Sequence, residues 1–123
     1  VIDTLKYIKS RSILAGLAVN PGTPLETVKP LFAYVDLILI MTVYPGYSGQ
    51  EFMEEVVDKI SATKGIMPEF PNIKYLQVDG GINRTTISKV VQAGANCCVA
   101  ATAIFKDPNG ISNAVRGLRS AIG

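Results

Sequence analysis

The sequence predicts an α/β fold built on a parallel sheet, and two observations carry that expectation. Four short apolar runs occur, at residues 13–19, 35–43, 73–78 and 97–105, and each is followed by a turn and a stretch with helical spacing. Runs that are apolar on both faces suit strands buried between layers. The second run contains the unbroken stretch Leu37-Ile38-Leu39-Ile40-Met41.

The helices are signalled by their caps. Ile2, Leu5 and Ile8 lie on one face and suggest the tail of a helix before the first strand. Thr23-Pro24-Leu25-Glu26 reads as a capping box with proline at the first helical position. Pro30 cannot donate to a helical ladder, so that helix is expected to be short or kinked. Phe52, Val56, Val57 and Ile60 form one face of a second helix, entered at Gln50. Asn83 is placed to cap a third, with Ile87, Val90 and Val91 inward and Gly94 ending it. Asp107-Pro108 opens a fourth, on which Ile111, Ala114, Val115, Leu118 and Ile122 share a stripe.

Repeated βα units argue for parallel strands joined by crossovers, and no shift in composition marks an internal boundary. Residues 1–123 are therefore expected to belong to a single domain. Two architectures fit: an open doubly wound sheet, or part of a (β/α)₈ barrel. A whole barrel takes roughly 250 residues, and four strands cannot close one. If the chain is barrel material, half of the barrel is expected elsewhere.

Composition narrows the function. With 123 residues, 48% apolar and 18% charged, the chain is neither a disordered tail nor a charged linker. A net charge of +2 with no basic block argues against nucleic acid as a partner. No apolar run reaches the roughly 18–20 residues of a membrane helix, and no leader is evident, so no membrane association is expected. Cys97 and Cys98 are adjacent and cannot staple distant segments, which makes a reducing cytoplasm the expected location. Histidine is absent, so acid–base chemistry must come from other groups.

In parallel α/β sheets functional groups gather beyond the carboxyl ends of the strands. Asp79 stands at such an end, followed by Gly80 and Gly81. An isolated Asp-Gly is commonly only a turn. A carboxylate at the end of a buried strand, however, is partly desolvated, the condition that suits it to proton transfer. The two glycines allow close backbone approach and could turn amides toward an anion. Gly46-Tyr47-Ser48-Gly49 is either a plain loop, with Ser48 and Glu51 as a further capping box, or a phosphate cradle at a helix start. Met41 reads as a core methionine, Cys97 and Cys98 as inert thiols, and Tyr44 and Tyr47 as either lid or loop cover.

Four segments together resemble one family, the ribulose-phosphate 3-epimerases of the ribulose-phosphate-binding barrel group. They are Ala15-Gly16-Leu17-Ala18-Val19-Asn20-Pro21-Gly22-Thr23-Pro24-Leu25-Glu26, then Met41-Thr42-Val43-Tyr44-Pro45-Gly46-Tyr47-Ser48-Gly49-Gln50-Glu51-Phe52, Val78-Asp79-Gly80-Gly81-Ile82 and Val99-Ala100-Ala101-Thr102-Ala103-Ile104-Phe105. The resemblance implies a TIM (β/α)₈ barrel of which this chain is the C-terminal half, strands five to eight. It implies a reaction, inversion at C3 between D-ribulose 5-phosphate and D-xylulose 5-phosphate by two carboxylates. Asp79 would be one acid/base residue and also a ligand of a divalent metal (Zn, Fe, Mn or Co). Gly46, Tyr47, Ser48, Gly49, Gly80, Gly81, Ala101 and Thr102 would bind the phosphate, and Met41 would line the cavity beside the reacting carbons.

The chain departs from the family pattern at Ala101, where glycine is usual, and at Tyr47-Ser48, where Phe-Gly is usual. The family's metal-binding histidines and its other aspartate come from strands outside this sequence. The expected partner is a sugar phosphate, with a homo-oligomer as the expected assembly. Two alternatives stand beside the epimerase: an allulose-6-phosphate 3-epimerase, and an inactive half-barrel that assembles by its open strand edges.

Overall fold

Four parallel strands form one sheet in a computed structural model, which describes residues 1–44, 46 and 50–123. The strands are β1 (Gly16–Val19), β2 (Leu37–Met41), β3 (Tyr75–Asp79) and β4 (Cys97–Val99), in the spatial order β1-β2-β3-β4. Helix α1 (Ile2–Ser10) precedes the sheet. Helix α2 (Leu25–Val28) and a 3-10 segment (Lys29–Tyr34) join β1 to β2. Helices α3 (Val56–Ile66) and α4 (Thr86–Ala93) make the next two crossovers, and α5 (Thr102–Phe105) and α6 (Ile111–Ala121) follow β4.

The order of the strands bears on the two architectures. A doubly wound sheet reverses its strand order at a switch point and carries helices on both faces. Here each strand pairs with the next in sequence, and one face alone is packed under helices. Ile38, Ile40, Leu76 and Val78 are fully buried and pack with Phe32, Ile60 and Val90. Each such side chain contributes on the order of 1.5–3 kcal/mol by leaving water. Their neighbours along the strands, Leu37, Leu39, Met41, Gln77 and Asp79, point to the other face and are only half-buried. Register aligns that inner face in rows: Ala18, Leu39, Gln77 and Cys97 in one, then Met41, Asp79 and Val99 at the carboxyl end. Sequential strands with helices outside and rows of side chains inside are consistent with an arc of a (β/α)₈ barrel.

Several elements differ from the sequence expectation, each for a local reason. The first run starts late, because Ile13 and Leu14 are exposed and Ala15 is the first buried position. The fourth run is not one strand: it breaks after Val99 into the short helix α5. The capping box at Thr23 does not form. Pro24 itself occupies the N-cap with extended φ −62 and ψ 140, and the Thr23 amide closes a turn onto the Asn20 carbonyl. Pro30 does shorten α2, and the chain continues in 3-10 form. At α4, Asn83 behaves as read: its Oδ1 accepts from the amides of Thr85 and Thr86, and Gly94 ends the helix at φ 125. On α6 only Ala114 and Leu118 of the stripe are buried, and Ile111 and Ile122 stay exposed.

The opposite ends of the strands are tied by Asp36. Its Oδ2 accepts from the Ala15 amide at 2.9 Å and its Oδ1 from Lys9 of α1 at 2.6 Å. Its own amide donates to the Ala15 carbonyl, and its carbonyl accepts from the amides of Lys74 and Tyr75. One residue thus joins α1 to the starts of β1, β2 and β3. Burial pushes the Asp36 carboxyl up, but the Lys9 and Ala15 hydrogen bonds and the charges of Lys9 and Lys74 outweigh it and hold it below its ordinary 3.8. A carboxyl depressed in the folded state stabilises fully above its unfolded value and loses that contribution as pH falls through the folded one. Stability is therefore expected to decline below pH 3.8, as the urea midpoint measured along an acid series will show. Asp36→Ala orphans the buried Ala15 amide, which costs about 1–3 kcal/mol at neutral pH, and it removes that acid-dependent decline.

Candidate functional site

At the carboxyl ends of β2, β3 and β4 lies a cavity of about 580 Å³. Met41 and Val43 come from the end of β2, and Gly46 and Gln50 from the loop after it. Asp79, Gly80, Gly81 and Asn83 come from the end of β3, and Ala100, Ala101 and Thr102 from the end of β4. The cavity thus gathers Met41, Gly46, Asp79, Gly80, Gly81, Ala101 and Thr102 of the expected site. Tyr47, Ser48 and Gly49 lie outside the described residues.

The turn after Asp79 is shaped by close packing. Gly80 has φ +129, and a Cβ there would lie 2.5 Å from Val43 Cγ2 and 2.8 Å from the Val43 amide nitrogen. Gly81 has φ +66, and its Cβ would lie 2.6 Å from the Phe52 amide nitrogen. Both positions therefore need glycine for two separate reasons, a left-sided backbone and contact with neighbouring main chain. Asp79 itself pairs in register with Met41 and Val99, so carboxylate and thioether stand side by side on the inner face.

The segment before α3 does not follow expectation. A helix was expected from Gln50, whereas α3 begins at Val56. Phe52 lies against Gly81, and the Met53 amide donates to the Thr42 carbonyl at 2.8 Å. These tertiary contacts draw the segment across the end of the sheet. Gly46 is accordingly separated from the start of α3, and the expected phosphate cradle at Tyr47-Ser48-Gly49 lies outside the described residues.

Thr42 went unnoticed in the sequence because it sits inside an apolar run. It is fully buried, its hydroxyl donates to the Gly80 carbonyl, and its amide donates to the Asp79 carbonyl at 2.9 Å. Asn83 was read only as a cap, yet it also lines the cavity.

The turn after β1 is not part of the cavity lining. It is held from α3 by Lys59, whose ammonium donates to the carbonyls of Asn20 at 3.0 Å, Pro21 at 2.8 Å and Thr23 at 2.7 Å. Three donors meet three acceptors, and burial pushes the Lys59 ammonium below its ordinary 10.5. Tyr44 is exposed with its hydroxyl beside Gly22, outside the cavity lining. Cys97 lies on the inner face, where its thiol meets Gln77 Oε1 at 3.4 Å. Cys98 faces the helices, and burial followed by the neighbouring Cys97 pushes its thiol up, which makes it a poor nucleophile.

Among the described residues, no group of three or more His, Cys, Asp or Glu side chains is placed to hold a metal ion. Asp79 is the one carboxylate among the described residues of the lining. With no histidine in the chain, its residues do not by themselves fit a metal. Among the described residues, no helix is long and apolar enough to cross a membrane.

The sequence model of the "Ribulose-phosphate 3 epimerase family" matches residues 1–105. The chain is 39% identical over 118 residues to the chloroplastic ribulose-5-phosphate-3-epimerase of Arabidopsis thaliana, covering 96% of the chain and 42% of that protein. It is 40% identical over 103 residues to the ribulose-phosphate 3-epimerase of Bacillus subtilis, covering 83% and 48%. Against the cytoplasmic isoform of Oryza sativa it is 38% identical over 119 residues, covering 93% and 50%. The chain spans about half the length of the curated relatives it matches.

Proposed function

Since the chain belongs to the ribulose-phosphate 3-epimerase family, we propose that its cavity is the phosphate-gripping, Asp79-bearing part of an enzyme that inverts C3 of a ketopentose phosphate. The substrates are D-ribulose 5-phosphate and D-xylulose 5-phosphate. Residues 1–123 are read as strands five to eight of the barrel, the half that ends in the phosphate loops. The observation that carries this reading is the meeting, in one cavity, of the Asp79 carboxylate with the Gly80-Gly81 turn and the Ala101-Thr102 segment.

Asp79 acts on one face of the substrate, taking the proton from C3 beside the ketone or returning it. A carboxyl group outside this chain serves the opposite face, which is what inversion requires. Gly80, Gly81, Ala101 and Thr102, with Gly46 and its neighbours Tyr47, Ser48 and Gly49, hold the phosphate end and so fix C3 against Asp79. Met41, Val99 and Ala100 supply the apolar lining that limits water at the reacting carbons. A divalent metal is the proposed cofactor, which would supply Lewis-acid chemistry when bound. Among the described residues of the lining Asp79 is the one carboxylate that would serve as its ligand, and the remaining ligands would come from elsewhere in the protein. A cytoplasmic location and a homo-oligomer complete the proposal.

The test uses the full-length protein in D₂O with D-ribulose 5-phosphate, followed by proton NMR. Formation of D-xylulose 5-phosphate with deuterium at C3 supports the reading. Faster exchange on allulose 6-phosphate would move the substrate to the six-carbon ketose, and no exchange on either overturns the enzyme.

One further reading has a specific observation behind it: β1 and β4 are the outer strands of an open sheet whose inner face is half-exposed. An assembly module would pair those edges with another copy. Sedimentation of the 13.1 kDa chain as a dimer, without epimerase activity, would favour it.

A further inference from the structure

We propose that the buried Thr42 hydroxyl is a latch that sets the Gly80–Gly81 peptide plane and so orients the end of β3 toward an anionic phosphate. The inference rests on the phosphate reading above and goes beyond it by naming a positioning residue with no contact to the ligand.

Three bonds anchor Thr42. Its amide donates to the Asp79 carbonyl at 2.9 Å, its hydroxyl to the Gly80 carbonyl, and its carbonyl accepts from Met53 at 2.8 Å. The side chain is fully buried, so water does not compete for the hydroxyl bond. Among the described residues no peptide bond is cis. In a trans peptide the N–H points opposite to the C=O of the same plane. With the Asp79 and Gly80 carbonyls both turned to Thr42, the amides of Gly80 and Gly81 point away from β2. Gly80 and Gly81 both line the cavity.

A plane between two glycines has unusual freedom to flip, since neither neighbour carries a Cβ. A flip would exchange the Gly81 amide for the Gly80 carbonyl and present a negative dipole end to a phosphate. The Thr42 hydroxyl holds that plane by a hydrogen bond, and serine can make the same bond whereas valine cannot. Valine keeps the β-branched shape, so the substitution removes the donor with little change in volume.

The experiment uses the full-length protein, inorganic phosphate as probe, and ¹⁵N amide shifts of Gly80 and Gly81. In the wild type, added phosphate shifts those two amides. In Thr42→Val, phosphate affinity falls about tenfold and KM for the phosphorylated substrate rises about as much, with kcat changed less. Thr42→Ser restores both to near wild-type values. A merely structural role would instead lower the melting temperature of both variants with KM unchanged. Unchanged phosphate affinity in a folded Thr42→Val protein overturns the latch while the phosphate reading stands. If Thr42→Val does not fold, loss of affinity in a folded Thr42→Ser protein, which keeps the donor, overturns it equally. Absence of any phosphate shift at Gly80 and Gly81 in the wild type overturns the phosphate reading itself.

Discussion

On the proposed function, Asp79→Asn in the full-length protein is expected to lower kcat for epimerisation by about 10²–10⁴-fold, the usual worth of a positioned acid–base group. Phosphate affinity stays close to that of the wild type. The amide is nearly isosteric with the carboxylate but neither takes nor delivers the proton at C3. The backbone at this position is held independently of its side chain, because the Asp79 carbonyl accepts from the Thr42 amide. The turn therefore survives the substitution, and any loss of turnover belongs to the carboxylate. Steady-state kinetics with phosphate titration separates the two effects. Retained turnover would reduce Asp79 to a turn residue and sink the proton-transfer role.

Gly80→Ala is expected to cause a large loss of stability for a single methyl group. Its φ of +129 is a conformation that L residues rarely adopt, and the new Cβ would meet Val43 side chain and main chain well inside contact distance. Backbone strain of about 1–3 kcal/mol adds to an overpacking term of about 1–3 kcal/mol. Relief by moving Val43 is limited, since the amide nitrogen at 2.8 Å is part of the chain that leaves β2. A drop in urea midpoint of the corresponding size, with weakened phosphate binding, is the expected result. An unchanged midpoint would show that the turn has another conformation in solution. Gly65, with open space around its Cβ position, is the control site.

Much of the sheet was legible because the sequence signals were redundant. In β2 the run Leu37-Ile38-Leu39-Ile40-Met41 forms the strand residue for residue. The helices ended by Gly94 and shortened by Pro30 were legible for the same reason, that each residue has one conformational consequence. What the pattern hid was asymmetry between faces. Apolar residues on both sides of β2 suggested two covering layers, yet Leu37 and Leu39 lie on the half-exposed side, where a barrel would close over them. Composition records what a face prefers and not what covers it.

The failures share a cause. Residues 97–105 carry no charge and only one polar side chain, Thr102, so neither a period of 2 nor one of 3.6 separates β4 from α5. Gln50 and Glu51 have helix-compatible chemistry, but Phe52 and Met53 are claimed by contacts to Gly81 and Thr42 from distant parts of the chain. Thr42 was invisible as a functional candidate because its value lies in two carbonyls nearly forty residues away, which no local pattern encodes. Part of the candidate cavity was foreseeable from strand ends alone, as Met41 ends an unbroken apolar stretch and Asp79 follows an apolar run.

The lysine that braces the turn after β1 reaches only main-chain oxygens, those of Asn20, Pro21 and Thr23. Every amino acid brings such an oxygen, so the brace is indifferent to which side chains occupy the bend. That rim can accumulate substitutions over time while its contour is preserved, provided the one cationic strut on α3 is retained.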